Sequence, residues 1–176
     1  NAGIFGNVSF LIFIVALGIE SAKQAIESMK KRHRVAELEQ FALNDSMTGL
    51  YNRNAYDYFA NNAKKLENHM IVTFDLNNLK SCNDTYGHST GDAYIIHSAH
   101  IIETTFDRFG KCYRIGGDEF CCLIPDAAEF QIERFIQKMQ QDIAILNNKN
   151  IIPTEAAIAC GYAFFTAEDT DIEKVR

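Results

Sequence analysis

Lys111-Cys-Tyr-Arg-Ile-Gly-Gly-Asp-Glu-Phe-Cys-Cys-Leu-Ile124 reads as two short strands joined at Gly116-Gly117. Glycine tolerates positive φ at little cost, so the pair predicts a tight hairpin turn. Asp118 and Glu119 follow at once. Successive side chains of a strand point to opposite faces. One carboxylate is therefore expected to face a site and the other a neighbouring element. A hairpin tip carrying two acids and Arg114 suits a metal–phosphate complex; the same residues would also make an ordinary polar turn.

A second stretch weighs between those readings. Val72-Thr-Phe-Asp-Leu76 predicts a buried strand ending in an acid. Polar residues then gather at Asn77, Asn78, Lys80, Asn83, Asp84, His88 and Asp92, with Gly87 and Gly91 among them. Asp75 and an acid of the hairpin suit adjacent strands that share a divalent cation. Mg²⁺ takes one or two carboxylates and completes its shell with water and phosphate oxygens. Lys80 offers a point charge to a phosphate. Asn83 and Asp92, taken singly, would serve as loop caps, and His88 reads as a structural loop residue.

With Asp45-Ser-Met-Thr-Gly-Leu-Tyr-Asn-Arg53, these segments resemble GGDEF domains, the diguanylate cyclases of bacteria. The likeness runs from about Leu43 to the end of the chain. It implies a homodimer that condenses two GTP into cyclic di-GMP and pyrophosphate with Mg²⁺ (or Mn²⁺). It implies metal binding by Asp75, the Leu76 carbonyl and Asp118. Asp118 would also help deprotonate the attacking 3′-hydroxyl, and Glu119 would support metal or hydroxyl positioning. Asn83 and Asp92 match the pair that reads the guanine edge. Lys80 and Arg114 match positions near the phosphates, and Asn77, Asn78 and Leu79 would offer backbone N–H groups to them. The alternative is a GTP-binding or dimerising signalling module with little turnover; the intact signature favours the enzyme.

The resemblance has departures. Asn77 stands where many members carry a second acid. The family's product-inhibition motif, Arg-x-x-Asp, falls on Asp107 and Gly110 and is absent. A further helix with phosphate-binding Lys and Arg residues is implied beyond Arg176.

The remaining pattern predicts an α/β (α+β) fold. Helices are expected over Asn52–Asn68, Asp92–Phe109 and Ala128–Asn147, and strands over Met70–Leu76, 111–124 (the hairpin) and Glu155–Phe165. Ile95, Ile96, Ala99, Ile102 and Phe106 are expected to face inward. The order βαββαβ is ferredoxin-like. GGDEF domains share such a palm core with nucleotidyl cyclases and some polymerases.

A chain of 176 residues suggests one domain plus an extension. Its net charge of −6 argues against nucleic acid as a partner. Five cysteines without CxxC spacing read as buried small hydrophobes in a reducing compartment. Residues 1–19 are strongly apolar and read as the end of a transmembrane helix; the same residues would also make a buried helix at a dimer interface. The basic run Lys30-Lys-Arg-His-Arg34 beyond it marks the cytoplasmic side, which places the catalytic domain on the cytoplasmic face of the inner membrane. Residues 20–43 read as a signalling helix or short coiled coil, with Ala22, Ile26, Met29, Ala36 and Leu43 near heptad spacing. Residues 44–176 make up the GGDEF-like domain.

Overall fold

The computed structural model describes residues 17–32, 34, 42–62, 68–127 and 131–165. The chain forms two compact units, Asn1–Phe41 and Ala42–Arg176. In the first, residues 17–32 form helix α1, and all of them are exposed. Among the described residues, no helix is long and apolar enough to cross a membrane. Most of the expected spanning run, residues 1–16, lies outside them, as do His33 and residues 35–41 of the expected coiled coil.

The second unit runs α2 (Arg53–Asn62), β1 (Met70–Leu76), α3 (Leu79–Tyr86), α4 (His88–Phe106), β2 (Lys111–Arg114), β3 (Glu119–Ile124), α5 (Ile132–Asn148) and β4 (Ile158–Phe164). The strands form one antiparallel sheet in the order β2-β3-β1-β4. This is the ferredoxin-like arrangement, with β1 and β3 at its centre. Asn52 starts α2 because its side chain accepts the Ala55 N–H at 3.0 Å, satisfying a donor the helix leaves open.

β1 sorts its residues by parity. Met70, Val72, Phe74 and Leu76 join Ile95, Ile102, Phe106, Met139 and Ile143 in the larger core, beneath α4 and α5. The Phe74 and Phe106 rings lie 5.3 Å apart. Ile71 points the other way, into a smaller core with Tyr56, Tyr113, Cys121, Leu123 and Phe165. Adjacent Cys121 and Cys122 fall on opposite faces, and all five cysteines are free thiols.

Several elements differ from expectation. Residues 77–91 contain helix α3, which buries only Leu79 and Cys82; two apolar positions are too few to register as a period. Gly87, at φ 84, ends α3 and opens α4, a backbone conformation that glycine adopts without strain. His88 is therefore the first residue of a helix, which ends at Phe106 rather than Phe109. Ile96 is 43 % exposed because the Ile95–Ala99–Ile102–Phe106 stripe takes the inward face. Helix α2 is described only to Asn62, and residues 63–67 of the expected span lie outside the described residues.

Candidate active site

Asp75 and Glu119 sit directly opposite each other on β1 and β3. One step further along, the Leu76 N–H donates to the Asp118 carbonyl at 3.1 Å. The two strands thus bring Asp75, Leu76, Asp118 and Glu119 to one end of the sheet. Asp75 and Glu119 line a cavity of about 390 Å³ with Thr73, Ile115, Ala159 and Gly161. Of the two signature acids, it is Glu119 that registers with Asp75, while Asp118 stands in the loop, half-buried. Among the described residues no three His, Cys, Asp or Glu side chains gather at one point. A facing carboxylate pair with a main-chain carbonyl beside it is nonetheless a hard-oxygen donor set of the size Mg²⁺ uses, so these residues fit such a cation.

The signature glycines work differently from the reading of their φ. Among the described glycines only Gly49 and Gly87 have positive φ. The turn is closed instead by the Glu119 carbonyl, which accepts from Ile115 N–H at 2.9 Å and Gly116 N–H at 3.2 Å. A Cβ on Gly116 would stand 2.9 Å from Glu119 Oε2. The glycine is small so that the carboxylate can lie back over the turn.

Arg114 shapes the turn from its other side. Its Nη2 donates to the Gly117 carbonyl at 2.8 Å, and its Nη1 lies 3.2 Å and 3.3 Å from the two Asp45 oxygens. Asp45 also accepts from the Thr48 N–H at 2.9 Å and the Thr48 hydroxyl at 2.7 Å. Burial would raise the Asp45 carboxyl, but these Thr48 and Arg114 bonds outweigh it and hold the group below its ordinary value. The segment reaches the signature through Tyr51, whose N–H donates to the Cys112 carbonyl at 3.1 Å and whose carbonyl accepts the Arg114 N–H at 2.8 Å.

Next to Asp75, the chain turns through Asn77 and Asn78 into α3. Asn78 has φ 62 and makes no side-chain cap to the helix. Asn78 thus offers no side-chain acceptor to the first N–H groups of α3, and a helix start without such a cap is a setting that attracts anions. Leu79 is buried, and Lys80 is exposed beside it. Asn83, on α3, lies over Gly91 of α4: a Cβ at residue 91 would collide with Asn83 Oδ1. That oxygen is buried and has no hydrogen-bond partner. Asp92 follows Gly91 and is exposed. The two expected base-reading residues thus come from neighbouring helices that pack on each other.

Gly110 gives a physical reason for the missing inhibition motif. A Cβ there would run into the backbone carbonyl of Leu123, so no aspartate fits at that position with this backbone.

Three residues escaped the sequence reading. Asp45 and Thr48 stand inside the Asp45–Arg53 motif with no individual mark, yet Asp45 holds Arg114 and Thr48 holds Asp45. Tyr94, fully buried, places its hydroxyl 3.1 Å from the Asn77 carbonyl and 2.9 Å from the Ala157 carbonyl, and accepts the Ala157 N–H at 2.7 Å. A lone Tyr inside an apolar helix stripe carries no sequence mark of such partners.

Known proteins share both the sequence pattern and the fold. Diguanylate cyclase DgcN of Escherichia coli is 30% identical over 169 residues, covering 92% of this chain and 41% of that protein. The chain thus spans about two-fifths of that relative's length. Diguanylate cyclase VdcA of Vibrio cholerae is 28% identical over 128 residues, covering 71% of this chain and 37% of the relative. In structure, the coiled coil and GGDEF domain of DgcB from Caulobacter crescentus, solved in complex with c-di-GMP, superposes with a TM-score of 0.76. That likeness covers 90% of this chain and 87% of the other at 21% identity, and it bears on the fold. The family described as diguanylate cyclase, GGDEF domain, matches residues 42–176. That span takes in the Asp45–Arg53 segment, the Asp75 strand end and the signature hairpin alike, so the chain belongs to the GGDEF diguanylate cyclase family.

Proposed function

We propose that this chain carries the catalytic domain of a diguanylate cyclase, which joins two GTP into cyclic di-GMP and releases two pyrophosphates. The observation that carries the reading is the Asp75–Glu119 pair, in register across β1 and β3 beside Asp118 and the start of α3. Mg²⁺ (or Mn²⁺) held by Asp75, the Leu76 carbonyl and the Asp118–Glu119 acids would offset charge developing on the phosphoryl oxygens. The N–H groups of Asn78 and Leu79 hold the terminal phosphates, with Lys80 as their counter-charge; the Asn77 N–H, expected to join them, donates to the Ala157 carbonyl at 2.9 Å instead. Arg114 acts on them through the turn whose Gly117 carbonyl it holds. Asn83 and Asp92 read guanine: an amide both donates and accepts, and a carboxylate accepts from N1–H and the 2-amino group. Asp118 takes the proton of the attacking 3′-hydroxyl, with Glu119 positioning that hydroxyl.

One domain holds one GTP, and the product contains two new phosphodiester bonds. Each 3′-hydroxyl must attack the α-phosphate held by the other copy, so two domains face each other. Holding reactants in that geometry supplies up to roughly 7–11 kcal/mol in well-oriented cases. Helix α1, with Ile26 and Met29 exposed, pairs with its counterpart to bring the copies together, on the cytoplasmic face of a membrane that the full-length protein enters through its apolar N-terminal run.

The test is turnover by the full-length protein with GTP and Mg²⁺, followed by separation of the nucleotides. A cyclic dinucleotide formed from GTP (cyclic di-GMP) with none formed from ATP supports the reading. Binding of GTP without product would favour the signalling module instead. Ile26→Asp with Met29→Asp is expected to lower turnover at dilute protein and leave GTP binding unchanged.

A further inference from the structure

We propose that Tyr94 is a positioning residue for the triphosphate, acting through the turn from Asn77 to Leu79. The inference rests on the GTP reading above and names what holds the phosphate-facing backbone in place.

Residue 77 is gripped on both sides of its α-carbon. Its N–H donates to the Ala157 carbonyl at 2.9 Å, and its carbonyl faces the Tyr94 hydroxyl at 3.1 Å. A peptide unit is planar. Fixing the Asn77 carbonyl therefore fixes the direction of the Asn78 N–H, the first of the groups assigned to phosphate. Asn78 then adopts φ 62, and α3 begins at Leu79.

The anchor is itself anchored. Tyr94 Oη accepts the Ala157 N–H at 2.7 Å and shares its proton with the Ala157 carbonyl at 2.9 Å. The Asn147 side chain of α5 takes both polar groups of Ala156, its N–H at 2.8 Å and its carbonyl at 2.9 Å. A line of hydrogen bonds thus runs from α5 through the lead-in to β4 and the α4 tyrosine to the turn beside Asp75.

Packing alone does not call for the hydroxyl. Tyr94 belongs to the larger core, where its neighbours are apolar, and a buried hydroxyl costs free energy unless it is bonded. All its hydrogen-bond partners are main-chain groups of the turn or of the segment before β4. Burial pushes the phenol up, so it remains a donor at neutral pH. Tyr94 also stands two residues beyond Asp92 on the same helix, which couples the placement of the turn to the helix assigned to the base.

The experiment compares Tyr94→Phe with wild type in the full chain. The probes are α,β-methylene GTP and GMP, each titrated with Mg²⁺ present. Loss of the hydroxyl's bond to the Asn77 carbonyl, the one of its contacts that reaches the phosphate turn, predicts about three- to tenfold weaker binding of the triphosphate analogue, with GMP affinity unchanged. Amide exchange at Asn78 and Leu79 should quicken while β1 and β3 keep their protection. Asn147→Ala, which loosens the same line from its far end, should repeat the selective loss on a smaller scale. Equal weakening of both nucleotides would reduce Tyr94 to a general structural role and overturn the proposal. So would an unchanged triphosphate affinity in Tyr94→Phe against a wild type that prefers the analogue. A wild type that binds the analogue no better than GMP would overturn the triphosphate reading itself, and the Tyr94 role with it.

Discussion

The two faces of β1 differ in what they ask of their residues. Toward α4 and α5, Met70, Val72, Phe74 and Leu76 are all at most 3 % exposed. On the opposite face the strand changes character along its length, from buried Ile71 through half-buried Thr73 to exposed Asp75. The first face contributes cohesion; the second ends in a cavity with Glu119 across it. Period-two alternation lets one strand do both, because neighbouring residues share a backbone and nothing else. Stability and chemistry should therefore separate between residues that are adjacent in the chain.

The largest expected effect tests that separation. Phe74→Ala empties a site beside Phe106 and should cost about 3–5 kcal/mol in a urea-unfolding measurement. An unfolding midpoint equal to that of wild type would break the comparison. Asp75→Asn, one residue on, should lower cyclic di-GMP formation by about 10²–10³ and leave the unfolding curve near wild type. The same rate loss is expected for Asp118→Asn; a folded Asp118→Asn protein with near-normal turnover would remove that residue from the mechanism.

Smaller effects sharpen the picture at its edges. Gly110→Ala should destabilise by about 1–3 kcal/mol, because the added carbon meets main chain rather than a movable side chain. Installing Asp107→Arg with Gly110→Asp should accordingly give a poorly folded protein rather than a product-inhibited one, read by thermal melting with and without cyclic di-GMP. Gly91→Ala should displace Asn83 and weaken GTP binding, with little effect on the remainder of the sheet. The smallest effect concerns Asp45. Its carboxyl is lowered in the folded state, so its contribution is present above its unfolded pKa and fades as pH falls through the folded value. Asp45→Asn should flatten that acid limb below about pH 4 while changing stability at neutral pH by about 1 kcal/mol or less.

What could be read in the sequence follows from the range of each interaction. The hairpin and β1 announce themselves through alternation, and the site acids through their place at strand ends. Helix α3 did not, because eight residues with only Leu79 and Cys82 buried give no period. Ile96 falls outside the inward stripe of α4 because that stripe runs through the adjacent pairs 94/95, 98/99, 101/102 and 105/106, and residue 96 stands about 100° past Ile95 on the side away from Tyr94. The Glu119 side chain lies over Gly116, a side-chain position that spacing does not reveal. Tyr94 is further out of reach, since its partner Ala157 lies 63 residues away and offers only main chain. Main-chain partners leave no residue type to recognise.

Tyr51 has one more consequence, for where this domain can be cut. β2 is an edge strand, and Tyr51 occupies the outward Cys112 carbonyl and Arg114 N–H. Its ring stacks near Tyr113 at 5.5 Å and carries Lys111 over it at 5.0 Å. A shortened protein beginning at α2 would strip this cover and leave two strand groups open to a neighbouring molecule, the usual start of edge-to-edge aggregation. Expression boundaries belong before Ala42, and a preparation begun at Arg53 should lose solubility long before it loses its sheet.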